Sequence, residues 1–125
     1  MNAITHLMFQ DGSARRAAER YVEIVPNSSI DRVVGNNGPG QIIRFTLAGR
    51  PFMAFESPPV HDFGFTPAMS TYLSCEAASE VDSVFEALSG GGTSLDARGR
   101  VRIQPRYGWC VDRFGVSWQI GIDAR

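Results

Sequence analysis

His6 is the residue whose type and position could most directly take part in chemistry. It lies in an apolar segment, Ile4–Gln10, that is typical of a strand, and no other histidine falls in a predicted element. An imidazole can serve as a general acid or base near neutral pH when a partner orients it. The second histidine, His61, lies in a proline-rich loop and is expected at the surface. His6 is therefore the first candidate site residue, and its role depends on its neighbours.

The other reactive side chains exclude some chemistry and leave some open. The sequence contains no lysine, which excludes a Schiff base or a lysine general base. Cys75 and Cys110 lie in apolar runs, so we expect buried, reduced thiols, although a disulfide between them stays open. Arg98, Arg100 and Arg102 alternate along a predicted weak strand. They form either an anion-binding row or a solvated strand edge.

The pattern of apolar residues predicts the elements that must position these groups. The order strand, helix and three strands occurs twice in the 125 residues, which predicts one domain of two modules, residues 1–58 and 66–125. The first half is predicted to contain strand Ile4–Gln10, a helix between Ser13 and Pro26, and strands Ser29–Val34, Gln41–Leu47 and Pro51–Glu56. The second half is predicted to contain strand Ala68–Glu76, helix Ala78–Ser89 with a capping-box-like start at Ser79 and Asp82, weak strands within Thr93–Gln104, and strands Tyr107–Asp112 and Val116–Ile122.

A faint internal repeat supports two equivalent modules. With one half shifted by 64 residues, Tyr21 aligns with Phe85, and the apolar faces of the two helices coincide. With a shift of 65 residues, Met53 aligns with Trp118. Any two amphipathic helices can be brought into phase, but the matching order of elements on both sides favours a repeat.

Four stretches form a pattern that extends over nearly the whole chain: ITHLMF at residues 4–9, PNS at 26–28, GRPFMA at 49–54 and GWCVDRFGVSWQI at 108–120. The pattern resembles the PhnB-like branch of the glyoxalase/bleomycin-resistance family, many of whose members carry the label 3-demethylubiquinone-9 3-methyltransferase. The run DRFGVSWQI is its most specific part. The resemblance implies the vicinal oxygen chelate, or glyoxalase-like, fold: an α+β domain in which two βαβββ modules form a curved mixed sheet with a cleft, usually in a homodimer.

The methyltransferase label has no counterpart in the residues. A Rossmann-like methyltransferase needs a glycine-rich turn between a strand and a helix, where the helix N-terminus holds the cofactor. Gly90-Gly91-Gly92 instead follows a predicted helix and is typical of a helix end. We therefore expect the label to describe a name and not a mechanism.

The resemblance also implies where a metal would bind. In metal-dependent relatives, four ligands come from the first and last strands of the two modules, and by position these fall on His6, Ala54, Ser70 and Gln119. Only His6 is an ordinary ligand, since alanine has no donor and the hydroxyl and amide are weak donors. Glu56, two residues beyond Ala54, could add a carboxylate. Because two strong donors are fewer than a stable site needs, we expect no metal, and His6 and Glu56 are its ligands if one binds.

Strand alternation predicts which side chains line the implied cleft. The mixture of rings and polar groups favours a small-molecule pocket over an empty concave face. Trp109 either lies at the rim and stacks on a planar ligand or covers the dimer interface. Predicted cleft residues besides Trp109 are His6, Met8, Phe52, Ala54, Glu56, Ser70, Tyr72, Ser74, Ser117 and Gln119, while Leu7, Phe9, Met53, Phe55, Leu73, Trp118 and Ile120 are predicted to pack against the helices.

Composition argues against nucleic acid and membranes as partners and leaves three functions open. The formal net charge of −1 argues against nucleic acid. No apolar run approaches the roughly 18 residues of a membrane span and the start lacks a signal pattern, so we expect a cytoplasmic protein with no membrane partner.

The first expectation for the function is a cofactor-free homodimer that binds a small aromatic or amphiphilic molecule. The alternatives are a divalent-metal-dependent isomerase, lyase or dioxygenase that uses His6 and Glu56, and a structural or regulatory dimer with a vestigial cleft.

Overall fold

The computed structural model describes residues 1–95 and 106–122, and the chain divides into two compact units, Met1–Gly64 and Phe65–Arg125. Arg98, Arg100 and Arg102 lie outside the described residues, as does most of the weak-strand region. The elements of the first unit are β1 (Thr5–Phe9), α1 (Ala14–Ile24), β2 (Ser29–Val34), β3 (Ile42–Leu47) and β4 (Arg50–Glu56). Those of the second unit are β5 (Thr71–Cys75), α2 (Ala78–Ser89), β6 (Thr93–Ser94), β7 (Tyr107–Val111) and β8 (Ser117–Ile122).

The first unit is a four-stranded mixed sheet with one helix packed on it. Its strands lie in the order β1-β4-β3-β2, with β1 parallel to β4 and the other pairs antiparallel. Helix α1 packs against β3 and β4, where the ring of Tyr21 lies 6.5 Å from that of Phe45. Phe45 in turn stacks on Phe52 of β4 at 5.3 Å. These rings form the centre of the core, because Tyr21 and Phe45 are almost completely buried.

The second unit repeats this arrangement. Its strands lie in the order β5-β8-β7-β6, with β5 parallel to β8 and the other pairs antiparallel. Helix α2 packs on β7 and β8 and buries Val81, Val84 and Leu88 at helical spacing. The identical order of elements and strands confirms the predicted α+β class with two βαβββ modules.

Both helices begin where the sequence predicts, but neither has a side-chain cap. The Ser13 side chain makes no capping hydrogen bond to α1, and the residue that precedes α2 is Ala77, so the capping box predicted at Ser79 and Asp82 is wrong. The helix end at Gly90 is as predicted, and Gly91 adopts the left-handed φ of 80° that favours glycine. In the described ranges, neither helix has the length and apolar character needed to cross a bilayer.

Gly108 lets α2 approach β7 closely. A Cβ atom at this position would lie 2.4 Å from a ring carbon of Phe85, well inside van der Waals contact. We expect Gly108→Ala to lower the free energy of unfolding by about 2 kcal/mol, because the ring or the helix must shift. Urea denaturation measures this change. Gly64→Ala is the matched control, since no atom lies within 4 Å of its Cβ position, and an equal loss in both variants would contradict the packing role of Gly108.

Candidate functional site

Each sheet has a helix face, which packs against the helix of its own unit, and an open face on the opposite side. In the first unit, Leu7, Ile43, Phe45 and Ala54 lie on the helix face and are buried. Because directly paired residues share a face, the strand registers define the open face. Its residues in the first unit are His6 and Met8 on β1, Arg32 and Val34 on β2, Ile42 and Arg44 on β3, and Met53 and Phe55 on β4.

Three predicted cleft residues lie on the helix face instead. Phe52, Ala54 and Glu56 are buried there, since β4 pairs Ala54 with Leu7 and Glu56 with Phe9. Conversely, the neighbours of His6 and Met8 on β4 are Met53 and Phe55, which were predicted to pack against the helix. The prediction for β4 is therefore wrong by one residue. The physical reason is that β4 lies between two strands and is apolar on both faces, so alternation gives no phase for it.

Glu56 serves the start of α1. Its two carboxylate oxygens accept hydrogen bonds from the backbone N–H groups of Gly12 at 2.7 Å and Ala14 at 2.9 Å, and the residue is only 4% exposed. The Ser13 hydroxyl and N–H both donate to Asp11. Backbone N–H groups at a helix N-terminus lack intrahelical acceptors, and a negative charge placed there is stabilising. Both oxygens of Glu56 are therefore engaged on the helix face, on the opposite side of the sheet from His6.

His6 is exposed on the open face of the first unit. Its ring centroid lies 6.0 Å from that of Phe55, and Met53 is its direct neighbour on β4. Within residues 1–95 and 106–122, the imidazole makes neither a hydrogen bond nor an ion pair. No carboxylate of the described chain therefore orients it as a general base would require. His61, predicted at the surface, is exposed, and its ring contacts that of Phe63 at 5.0 Å.

The open face of the second unit carries rings and polar side chains. Tyr72, Ser117 and Gln119 lie on it, the side predicted for them, while Leu73, Trp118 and Ile120 lie on the helix face. Trp109, whose orientation the sequence left open, also lies on the open face. Ser70 precedes β5, and its hydroxyl is 2.6 Å from that of Ser117. The participation of these residues in ligand binding stays a prediction.

Hydrogen bonds hold these side chains in place. The hydroxyl of Tyr107 donates to Oε1 of Gln119 at 2.5 Å, and the indole N–H of Trp109 donates to Ser117 at 3.0 Å. The ring of Tyr72 stacks on that of Tyr107 with centroids 6.4 Å apart. Sequence reasoning missed Tyr107, although alternation from Trp109 two residues later places both on one face. The result is a surface of oriented rings with a fixed amide among them.

The strand registers also correct the positions implied for a metal. His6 pairs with Met53, and the equivalent pair in the second unit is Tyr72 with Gln119, each related by a shift of 66 residues. Ala54, the position that the resemblance implied in the first unit, lies on the helix face, so the register replaces it with Met53. Ser70 precedes β5, and its assignment as a ligand position stays a prediction. Only His6 in the corrected set is an ordinary ligand for a hard divalent ion.

The donors present do not fit a metal site of the type that the fold implies. Among the residues described, no three side chains of His, Cys, Asp or Glu lie close enough together to hold an ion. Glu56, the carboxylate considered for this role, contacts backbone N–H groups on the other face of the sheet. A metal site of this type needs three or four strong donors, and the corrected positions supply one, the imidazole of His6.

Both cysteines are buried and unpaired, as expected for structural thiols. Burial, and then the nearby Asp112 carboxylate, raise the pKa of the Cys110 thiol to about 11. Burial, and then Glu80, raise the pKa of Cys75 above its ordinary value. Because the thiolate is the nucleophile, these raised pKa values disfavour the reactive form of both thiols at neutral pH.

Asp112 connects several residues of the run DRFGVSWQI, the most specific part of the sequence pattern, through hydrogen bonds. Its Oδ1 accepts hydrogen bonds from the backbone N–H groups of Phe114 at 2.8 Å and Val116 at 3.0 Å, within the turn that joins β7 to β8. Its Oδ2 accepts the indole N–H of Trp118 at 2.8 Å. Trp118 is fully buried, and this carboxylate supplies the acceptor that a buried indole N–H requires. Gly115 completes the turn with a φ of 94°.

Comparison with known proteins gives a family and a fold. The model of the family described as 3-demethylubiquinone-9 3-methyltransferase matches residues 1–121. The chain is similar to the solved PhnB protein from Bacillus cereus, with 35% identity and a TM-score of 0.85 over 98% of this chain and 100% of that one. No curated protein matches the chain.

More distant solved structures share the fold. A gene product of Arabidopsis thaliana matches with 16% identity and a TM-score of 0.68, over 97% of this chain and 98% of that one. The fosfomycin resistance protein FosX from Listeria monocytogenes, solved with manganese(II) and sulfate, matches with 14% identity and a TM-score of 0.67, over 99% and 90% of the two chains. At these identities the likeness is one of fold alone.

Proposed function

The chain belongs to the 3-demethylubiquinone-9 3-methyltransferase family, in the PhnB-like branch of the vicinal oxygen chelate superfamily, and on that basis we propose that it binds a small organic molecule without a resident metal. The ligand is aromatic or amphiphilic, and the protein acts as a homodimer. The methyltransferase name has no support beyond the family label, because each described sheet has a single parallel strand pair and its glycine run follows a helix.

The donor set carries the proposal. The strand pairs that would supply metal ligands present His6 with Met53 and Tyr72 with Gln119. A thioether, a phenol and an amide are poor ligands for Mn²⁺ or Zn²⁺ compared with imidazole and carboxylate. The same groups are well suited to an organic molecule, since pockets combine apolar and aromatic walls with a few fixed polar groups.

The second unit supports binding of a planar group. Tyr72 is exposed and stacks on Tyr107, whose hydroxyl fixes the carboxamide of Gln119. Because Oε1 accepts this hydrogen bond, the Nε2 group of Gln119 is the part of the amide that would donate to a ligand. A ring that stacks on Tyr72 while accepting a hydrogen bond from Gln119 satisfies both side chains.

A metal-dependent enzyme that uses His6 and Glu56 is the weaker alternative. Moving Glu56 to a metal would leave two backbone N–H groups at the start of α1 without their acceptors. The manganese in FosX belongs to that protein, which shares the fold with this chain at 14% identity. The cytoplasmic location is also part of the proposal, and two buried, reduced thiols are consistent with it.

Metal and ligand titrations test the proposal on untagged protein purified without chelators. We expect substoichiometric metal by elemental analysis and no saturable thermal shift with Mn²⁺, Ni²⁺, Zn²⁺ or Fe²⁺. An organic ligand at 100 times its Kd should stabilise the protein by about 2.7 kcal/mol, which raises Tm by about 10 °C for a chain of this size. Stoichiometric metal, or a saturable shift of several degrees with one ion, would contradict the proposal.

Variants of the second open face locate the organic ligand. Tyr72→Ala and Gln119→Ala should each reduce the ligand-induced shift by more than half while leaving the Tm of the free protein within a few degrees. Met69→Ala is the matched control, because Met69 is a large, exposed side chain outside the strands. Sedimentation equilibrium checks the homodimer, and a monomer at 100 times the assay concentration would contradict that part.

A further inference from the structure

Two arginines of the first unit lie side by side on the open face and have no partner of opposite charge in the part of the chain that the structure describes. Arg32 of β2 and Arg44 of β3 are directly paired in the antiparallel register, so they share a face with about 5 Å between their Cβ atoms. Both side chains are exposed. Within the described ranges, neither makes an ion pair or a hydrogen bond. The two guanidinium groups are therefore free to bind an anion.

The nearest carboxylate along the chain does not neutralise them. Asp31 lies at the bulge in β2, where its Oδ1 accepts the hydroxyl of Ser29 at 2.8 Å and its Oδ2 accepts that of Thr46 at 2.7 Å. Like charges directly opposite each other destabilise a strand pair. The arrangement thus costs stability in the free protein, and an oxyanion between the guanidinium groups would remove that cost.

The arginines belong to a row that crosses the whole sheet. Arg44 pairs with Met53, and Met53 pairs with His6, so the row runs from Arg32 to His6 across four strands. A second row lies two residues further along each strand, about 7 Å away. It consists of the directly paired Val34, Ile42, Phe55 and Met8, which are all apolar. Val34 is 42% exposed, so this row is accessible to solvent.

We propose that this open face binds an amphiphilic organic oxyanion, with its carboxylate or phosphate group on Arg32 and Arg44 and its apolar part on the row from Val34 to Met8. The inference goes beyond the proposed function, because it assigns a second binding face, on the first unit, and names the class of ligand that this face takes. Two guanidinium groups offer paired N–H donors that match the geometry of such an oxyanion. A spacing of about 7 Å between the rows fits an aryl group or a short alkyl chain attached directly to the anion.

Isothermal titration calorimetry at low ionic strength tests the proposal with defined probes. The probes are 4-phenylbutyrate and phenyl phosphate as amphiphilic anions, 4-phenylbutanol as the neutral analogue, and inorganic phosphate as the anion alone. We expect at least one amphiphilic anion to bind at least tenfold more tightly than both 4-phenylbutanol and inorganic phosphate. The preferred anion distinguishes a carboxylate ligand from a phosphate one. Equal affinity for the neutral analogue, or no saturable binding of either anion, overturns the proposal.

Substitutions assign the binding to the arginine pair. Arg32→Ala and Arg44→Ala should each weaken anion binding at least tenfold, since each removes charge-assisted hydrogen bonds. Arg50→Ala, an exposed arginine at the start of β4, should change it less than twofold. The free Arg44→Ala protein should have an unchanged or higher Tm because the repulsion is relieved. A lower Tm with unchanged anion affinity would make Arg44 a structural residue and overturn the proposal.

Two further outcomes separate this inference from the proposed function. Anion binding that responds to Tyr72→Ala and Gln119→Ala but not to Arg32→Ala or Arg44→Ala overturns the inference and leaves the proposed function intact. Stoichiometric metal, with anion affinity that depends on its presence, overturns the proposed function. Self-association that Arg44→Ala abolishes, without anion binding, would assign the face to a second copy of the chain and overturn the inference.

Discussion

Replacing Asp112 with alanine should lower the free energy of unfolding by about 4 kcal/mol, the largest effect that we expect from a single substitution. The carboxylate accepts hydrogen bonds from the N–H groups of Phe114, Val116 and the Trp118 indole, and the residue is 4% exposed. Its loss leaves the buried indole N–H of Trp118 without an acceptor, in addition to loosening the turn between β7 and β8. An unsatisfied buried donor costs about 1–3 kcal/mol by itself.

Urea denaturation followed by tryptophan fluorescence measures this loss. Asp62→Ala, at an exposed loop position, is the matched control and should leave the stability within about 0.5 kcal/mol of the parent. Asp112→Asn keeps the acceptor for the turn but places an amide N–H₂ group against the indole N–H, so it should lose about 2 kcal/mol. In a Trp118→Phe background the asparagine substitution should cost much less, because the opposed donor is gone. Additive losses in this double-mutant cycle would contradict the assigned hydrogen bond.

Replacing Glu56 with glutamine should lower the free energy of unfolding by about 3 kcal/mol. The substitution removes the charge at the start of α1 and leaves one of two N–H groups, on Gly12 or Ala14, facing an amide that cannot accept it. For a domain of this length, the loss corresponds to a Tm lower by about 10 °C.

Calorimetric unfolding of Glu56→Gln beside Glu23→Gln checks this prediction. Glu23 lies on the exposed side of α1 and serves as the matched control. The result also bears on function, because a carboxylate used for metal binding would leave stability nearly unchanged when it is neutralised. A Glu56→Gln protein as stable as the parent would therefore support the metal-site hypothesis. It would contradict the role of Glu56 in stabilising the start of α1.

The periodicity of apolar residues was sufficient to predict the helices and strands. It failed to assign side chains to the correct face of a strand that is apolar on both faces. Strand β2 and helix α2 have the predicted bounds, since turn residues delimit them clearly. The side chains of β5 alternate between buried and exposed positions, which gave Tyr72 its correct face. In β4 the run Phe52 to Phe55 is apolar throughout, so only the pairing of Leu7 with Ala54 decides the phase.

The candidate site was less predictable because it depends on contacts between distant residues. Asp112 and Glu56 act as acceptors for N–H groups that the sequence does not reveal as unsatisfied. Arg32 and Arg44 are brought together by a hairpin with a bulge at Asp31, and a bulge shifts the pairing by one residue. Alternation on either strand alone therefore gives no indication that the two arginines are neighbours.

The parallel pairing of β1 with β4 constrains how each unit can fold. Thr5 pairs with Phe52, and Thr71 pairs with Trp118, so both units join strands separated by 47 residues. Closing such a loop costs roughly 3 kcal/mol of chain entropy before the contact is formed. During synthesis on the ribosome, β1 consequently waits without a partner until β4 has left the exit tunnel, while the hairpin of β2 and β3 can form earlier. Strand β1 of the first unit and strand β5 of the second are thus the last strands of their sheets to find a partner in the nascent chain.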